Sequence, residues 1–125
     1  MANLLIVDDE LGMRQFLTHL FQREGHVVRV AENGRVALEQ LREQTPDLII
    51  SDIRMPDMSG VDLLREARAL NSDVEVIMMT AFANVDTARE AFLLGAYDFV
   101  QKPFDNDLLK ETVARALKKI SQLFL

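Results

Sequence analysis

Leu4-Leu5-Ile6-Val7-Asp8-Asp9 and Leu48-Ile49-Ile50-Ser51-Asp52 decide the fold. Each is a short apolar run that stops at acid. A strand half open to water alternates apolar and polar residues. An unbroken run marks a strand covered on both faces, as in a parallel sheet. In an open α/β sheet the ligand crevice lies beyond the carboxyl ends of the strands. Asp8, Asp9 and Asp52 are therefore expected at one edge. Their repulsion in a partly dry crevice is costly unless a cation joins them. Hard oxygen ligands with room for water suit Mg²⁺. A carboxylate in such a pocket can accept a phosphoryl group.

The rest of the chain alternates in the same way. Further apolar runs fall at 27–30, 74–79 and 97–100. Between the runs lie helical spacings. Phe16, Leu17, Leu20 and Phe21 form one, stopped by Gly25. Val36, Ala37, Leu38 and Leu41 form a second, ended before Pro46. Leu63, Leu64, Ala67 and Leu70 form a third. Val85, Ala88, Ala91 and Phe92 form a fourth, closed by Gly95. Leu109, Val113, Ala116, Ile120 and Leu123 form a fifth. This alternation predicts an α/β fold, a doubly wound five-stranded parallel sheet with five helices. Right-handed crossovers leave few topologies.

The composition fits one globular domain: 125 residues, 49% hydrophobic and 27% charged. A net charge of −6 argues against nucleic-acid binding by this segment. Cysteine is absent, which fits a reducing cytoplasm and leaves no thiolate metal site. The first apolar run stops at Asp8, so no signal peptide is expected. No run approaches the ~18 apolar residues of a membrane span.

Two more residues close the remaining runs. Thr80 follows Val76-Ile77-Met78-Met79, and Lys102 follows Phe99-Val100-Gln101. With all strands parallel, a hydroxyl and an ammonium join the aspartates. Asp8 and Asp9 would hold Mg²⁺, directly or through water, and Asp52 would be the nucleophile. Thr80 would donate to a phosphoryl oxygen and Lys102 would neutralise its charge. Each residue alone has an ordinary reading. Asp9 would cap the first helix, Asp52 would be a turn aspartate, Thr80 a strand-end hydroxyl and Lys102 a solvated lysine. Together at successive strand ends they read as one site. His19 and His26 read as surface or packing residues.

These motifs resemble the response-regulator receiver domains of two-component signalling. The resemblance rests on Val7-Asp8-Asp9-Glu10, on Asp52-Ile53-Arg54-Met55-Pro56-Asp57-Met58-Ser59-Gly60, on Met79-Thr80-Ala81 and on Lys102-Pro103-Phe104. It covers the chain to about Ala116, and it is nearest to the NtrC type through Gly95-Ala96-Tyr97-Asp98-Phe99 and Lys102-Pro103-Phe104-Asp105. It implies a flavodoxin-like fold with strand order 2-1-3-4-5. It implies a phosphorylation-activated switch, with Asp52 the phosphoacceptor and a sensor histidine kinase the donor. Mg²⁺ would be held by Asp9, Asp52 and the main-chain carbonyl of Arg54, with Asp8 contributing through water. Thr80 would move toward the phosphoryl group, Phe99 would turn inward behind it, and the Lys102–Pro103 peptide would be cis. Two positions depart from the family. Many members have tyrosine where this chain has Phe99. Arg54 and Phe82 stand where fast-resetting members place polar residues that orient water, so a long-lived phosphorylated state is expected.

The resemblance makes residues 1–120 a receiver domain that is no enzyme beyond its own phosphorylation and slow dephosphorylation. Residues 121–125 would begin a linker or extend the fifth helix. An AAA+ ATPase and a DNA-binding domain, which control transcription in NtrC-type relatives, would follow in the parent protein. The stripe of Leu109, Val113, Ala116, Ile120 and Leu123 steps by 4, 3, 4 and 3 residues. It is expected to leave apolar area for a homodimer through the fourth helix, fifth strand and fifth helix. Two rival readings remain. One is an aspartyl-phosphate phosphohydrolase of haloacid-dehalogenase type, but Arg54 stands where those enzymes carry their acid/base aspartate. The other is a docking module that is never phosphorylated, but no site position is lost.

Overall fold

Each apolar run is a strand, and each strand is followed by a helix that carries the chain back across the sheet. The computed structural model describes residues 2–81 and 85–123. The strands are β1 Asn3–Val7, β2 Val27–Ala31, β3 Leu48–Asp52, β4 Glu75–Thr80 and β5 Asp98–Gln101. The helices are α1 Leu11–Arg23, α2 Gly34–Glu43, α3 Gly60–Leu70, α4 Val85–Leu93 and α5 Asn106–Leu123. All neighbouring strands are parallel, in the order β2-β1-β3-β4-β5.

The unbroken runs exist because both sheet faces are buried. Successive residues of a strand point to opposite faces. Leu5, Val7, Ile49, Val76 and Met78 join Leu38, Leu41, Leu63 and Leu64 in the core under α2 and α3. Leu4, Ile6, Leu48, Ile50, Ile77 and Met79 join Leu17, Phe21, Leu109 and Val113 in the core under α1 and α5. Each fully buried side chain of this size contributes about 1.5–3 kcal/mol.

Three sequence expectations change. Asp9 does not cap α1: Glu10 occupies the cap position, makes no side-chain cap bond, and the helix starts at Leu11. The fourth strand begins at Glu75, a carboxylate only 3% exposed. It is tolerated because Lys119 Nζ lies 3.3 Å and Arg68 Nη2 3.7 Å from Glu75 Oε1. Finally, the α5 stripe is spent inward. Leu109, Val113 and Ala116 are core, and Ile120 is half-buried. The apolar area expected for a dimer seam is therefore not supplied by those three residues. The side chain of Leu123, and Phe124 and Leu125, lie outside the described residues.

Candidate functional site

Four adjacent strands deliver their carboxyl ends to one edge of the sheet. Asp8 and Asp9 follow β1, Asp52 closes β3, Thr80 closes β4 and Lys102 follows β5. The backbone ladder sets these positions. Asp8 N–H donates to the Ala31 carbonyl at 3.1 Å, Ile53 N–H to Met79 at 3.1 Å and Lys102 N–H to Thr80 at 2.8 Å. Ladder bonds that run past the strand ends hold the functional residues before any side chains meet. The Lys102–Pro103 peptide is cis.

Asp8 is fully buried and Asp52 is 7% exposed. Between them lies one ammonium. Lys102 Nζ donates to Asp8 Oδ2 at 2.9 Å and to Asp52 Oδ2 at 2.8 Å. The other oxygens are engaged by backbone: Asp8 Oδ1 accepts Glu10 N–H at 2.9 Å and Asp52 Oδ1 accepts Arg54 N–H at 3.1 Å. Burial would push the lysine pKa down. The hydrogen bonds to Asp52 and Asp8, and the charges of the same two groups, outweigh it and hold the ammonium above its ordinary 10.5. Arg14 adds a cation behind the site, its Nη1 donating to the Asp8 carbonyl at 2.8 Å.

Asp9 and Glu10 are exposed at the rim. One carboxylate oxygen from each of Asp8, Asp9, Glu10 and Asp52 lies within 4.8 Å of the others. This donor set is all hard oxygen and partly open to water, which fits Mg²⁺. Glu10 is the member that sequence reasoning did not single out. Its adjacency to Asp9 was the available signal. Its side chain also lies 3.9 Å from Lys102 Nζ. Arg54 is exposed on the turn that leaves Asp52, and Thr80 is buried at the end of β4. Phe99 is half-buried against the α2–α3 core. His19 is exposed, and His26 accepts the Ala2 N–H on Nδ1 at 3.3 Å, a packing role. Phe82 lies outside the described residues.

Fold and site together define a doubly wound α/β domain that presents a buried carboxylate, an acidic rim and a paired lysine at one sheet edge. The response regulator receiver domain family matches residues 4–114, and the chain belongs to that family. The chain is 46% identical over 115 residues to the regulatory protein AtoC of Escherichia coli K12, covering 92% of this chain and 25% of AtoC. It is 36% identical over 114 residues to the sporulation initiation phosphotransferase F of Bacillus subtilis, covering 91% and 92%. The crystal structure of NtrX from Brucella abortus superimposes with a TM-score of 0.90 at 33% identity, covering 97% of this chain and 28% of that one. The domain is thus a two-component receiver similar to those of NtrC-type regulators. It spans about a quarter of the length of AtoC. Receiver domains bind Mg²⁺ at an acidic pocket. Among the described residues no helix is long and apolar enough to cross a membrane.

Proposed function

We propose that this domain is a phosphorylation-activated switch whose phosphoacceptor is Asp52 and whose donor is a sensor histidine kinase in the cytoplasm. The observation that carries the reading is the buried Asp52 carboxylate, set among Asp8, Asp9 and Lys102. An Asp52 oxygen attacks the phosphorus of a phosphohistidine. The P–N bond breaks, and its electron pair stays on that imidazole nitrogen; the ring leaves as neutral imidazole because its other nitrogen already carries a proton. Asp9, Asp52 and the main-chain carbonyl of Arg54 would hold Mg²⁺, with Asp8 contributing through water. A cation held there would supply positive charge against the phosphoryl oxygens. Lys102, already hydrogen-bonded to Asp52, turns to the new phosphoryl oxygens. Thr80 donates its hydroxyl to the same group, and Phe99 turns inward behind it.

The response leaves through α4, β5 and α5, where Phe92, Leu93 and Leu108 are exposed. Its output is transcription, through AAA+ and DNA-binding domains that follow a linker in the parent protein, with a homodimer on this face. The similarity to AtoC and NtrX over about a quarter of their chains supports the further domains.

Intact mass after incubation with a small phosphodonor and Mg²⁺ tests the reading. One phosphoryl group should add to wild type and none to Asp52→Asn, and a chelator should abolish the gain. An undiminished gain in Asp52→Asn sinks the assignment.

A further inference from the structure

Residues 53–59 connect β3 to α3, and this loop is tied at several points. At its start Arg54 N–H donates to Asp52 Oδ1 at 3.1 Å. At its base Gly60 N–H donates to the Ile53 carbonyl at 2.7 Å. Its far end reaches across to α2. There Asp57 Oδ1 accepts Gly34 N–H at 3.1 Å, and Asp57 Oδ2 accepts Arg35 N–H at 2.9 Å.

The first N–H groups of a helix lack intrahelical partners, and negative charge is favoured beside them. Asn33 satisfies one as the N-cap of α2, accepting Val36 N–H at 2.9 Å. Asp57 satisfies two more from a distant segment. Next to it Met58 lies so close over Gly34 that a β-carbon at position 34 would overlap its Cγ and Sδ. Loop and helix therefore match in polar and in van der Waals contact. Burial would lift the Asp57 carboxyl, but the N–H groups of Arg35 and Gly34, with those of Asp57 and Met58, hold it below its ordinary 3.8. The tie is charged at neutral pH.

Between these ties lies Arg54, whose main-chain carbonyl belongs to the Mg²⁺ set proposed above. A side-chain ligand can swing onto a cation, whereas a main-chain carbonyl goes only where its backbone goes. The geometry points to Asp57 as a positioning residue for that cation. By clamping the loop onto the N-terminus of α2, it holds in place the segment that carries the Arg54 carbonyl. This role rests on the Mg²⁺ reading under Proposed function. Asp57 touches neither cation nor phosphoryl group in it.

Loss of an outer-shell partner costs about 10–100-fold in metal affinity, and an exposed tie belongs at the low end, about tenfold. Titration of the whole chain with MgCl₂, followed by amide NMR shifts at Asp52 and Ile53, reads this. Asp57→Ala should bind Mg²⁺ about tenfold more weakly. Asp57→Asn, which keeps an acceptor oxygen, should fall between that variant and wild type. Asn33→Ala removes the other α2 cap without touching the loop, and should lower the unfolding temperature while leaving Mg²⁺ affinity unchanged. Phosphorylation of Asp57→Ala by a small phosphodonor should be restored by raising Mg²⁺, since the cation requirement shifts and the ceiling does not. Equal Mg²⁺ affinity in Asp57→Ala and wild type, or an equal loss in Asn33→Ala, overturns the positioning role and leaves the Mg²⁺ reading standing. Failure of wild type itself to take up Mg²⁺ overturns both.

Discussion

Lys102 Nζ meets Asp52 Oδ2 at 2.8 Å although the two residues stand 50 positions apart in the chain. The same ammonium serves Asp8, so one cation balances two buried carboxylates. An incoming phosphoryl group would have to share it, and an incoming divalent cation would have to compete with it.

That competition gives opposite effects on two measurable quantities. Lys102→Met should bind Mg²⁺ more tightly than wild type, because the repelling ammonium is gone, yet be phosphorylated more slowly. Without metal it should lose about 1–3 kcal/mol of stability, the cost of leaving buried polar groups unsatisfied. The lysine pKa is raised in the folded state, so its contribution is complete below the ordinary 10.5 and fades as pH climbs through the raised value. Denaturant titrations should find a constant gap between wild type and variant from neutrality to about pH 10, closing above it. A gap that closes on the way from pH 7 to pH 9 contradicts this pairing.

Thr80 is buried at the end of β4, next to the strand that carries Phe99. Thr80→Ala should still gain one phosphoryl mass but should lose the conformational response. NMR shifts of α4 and β5 on phosphorylation report it. Unaltered shift changes in the variant would remove Thr80 from the coupling.

Gly60 sits so close to β3 that an added β-carbon would fall inside contact distance of the Asp52 carbonyl oxygen and the Ile53 Cα. Gly60→Ala should therefore shift the backbone of Asp52, the proposed phosphoacceptor, slowing phosphorylation and lowering stability by about 1–3 kcal/mol, as overpacking does. Gly12→Ala meets nothing within 4 Å and should be stabilising by about 0.4–1 kcal/mol, with phosphorylation unchanged. Thermal melts and phosphorylation rates of the pair decide it.

Self-association should depend on exposed α4 and α5 residues and not on the inner stripe. Leu93 is 77% and Leu108 50% exposed, whereas Leu109, Val113 and Ala116 are buried. Leu93→Glu and Leu108→Glu should weaken any dimer without unfolding the domain. Sedimentation with and without phosphodonor measures this. If wild type is monomeric in both conditions, this face does not carry the proposed dimer.

The contrast between Leu108 and Leu109 shows where sequence reasoning loses its hold. Strands were readable because burial on both faces forces unbroken apolar runs, and the ends of β1 and β3 were readable because an aspartate stops each of those two runs. Heptad-like spacing in α5 has no such uniqueness, since a helix covering a sheet and a helix joining a partner repeat alike. Glu75 stood inside the run at 74–79 with nothing along the chain to show how its charge is buried; its tolerance comes from Arg68 on α3 and Lys119 on α5. Asp57 drew no reading of its own because its partners, Gly34 and Arg35, precede it by a whole crossover. In each case the missing information was a contact between elements, which spacing along the chain does not encode.

The lysine that closes the site and the aspartate it holds at β1 are separated by 94 positions. No local stretch of chain can mimic that edge, so it disappears completely when the domain unfolds. Any solute that binds there binds only the native state and shifts the folding equilibrium by RT ln(1 + [L]/Kd), about 2.7 kcal/mol at a hundredfold excess over Kd. Occupancy and resistance to proteolysis are then two readings of one linked equilibrium. A substitution deep under α1, far from any acid, would lower signalling capacity simply by thinning the folded population that offers this edge.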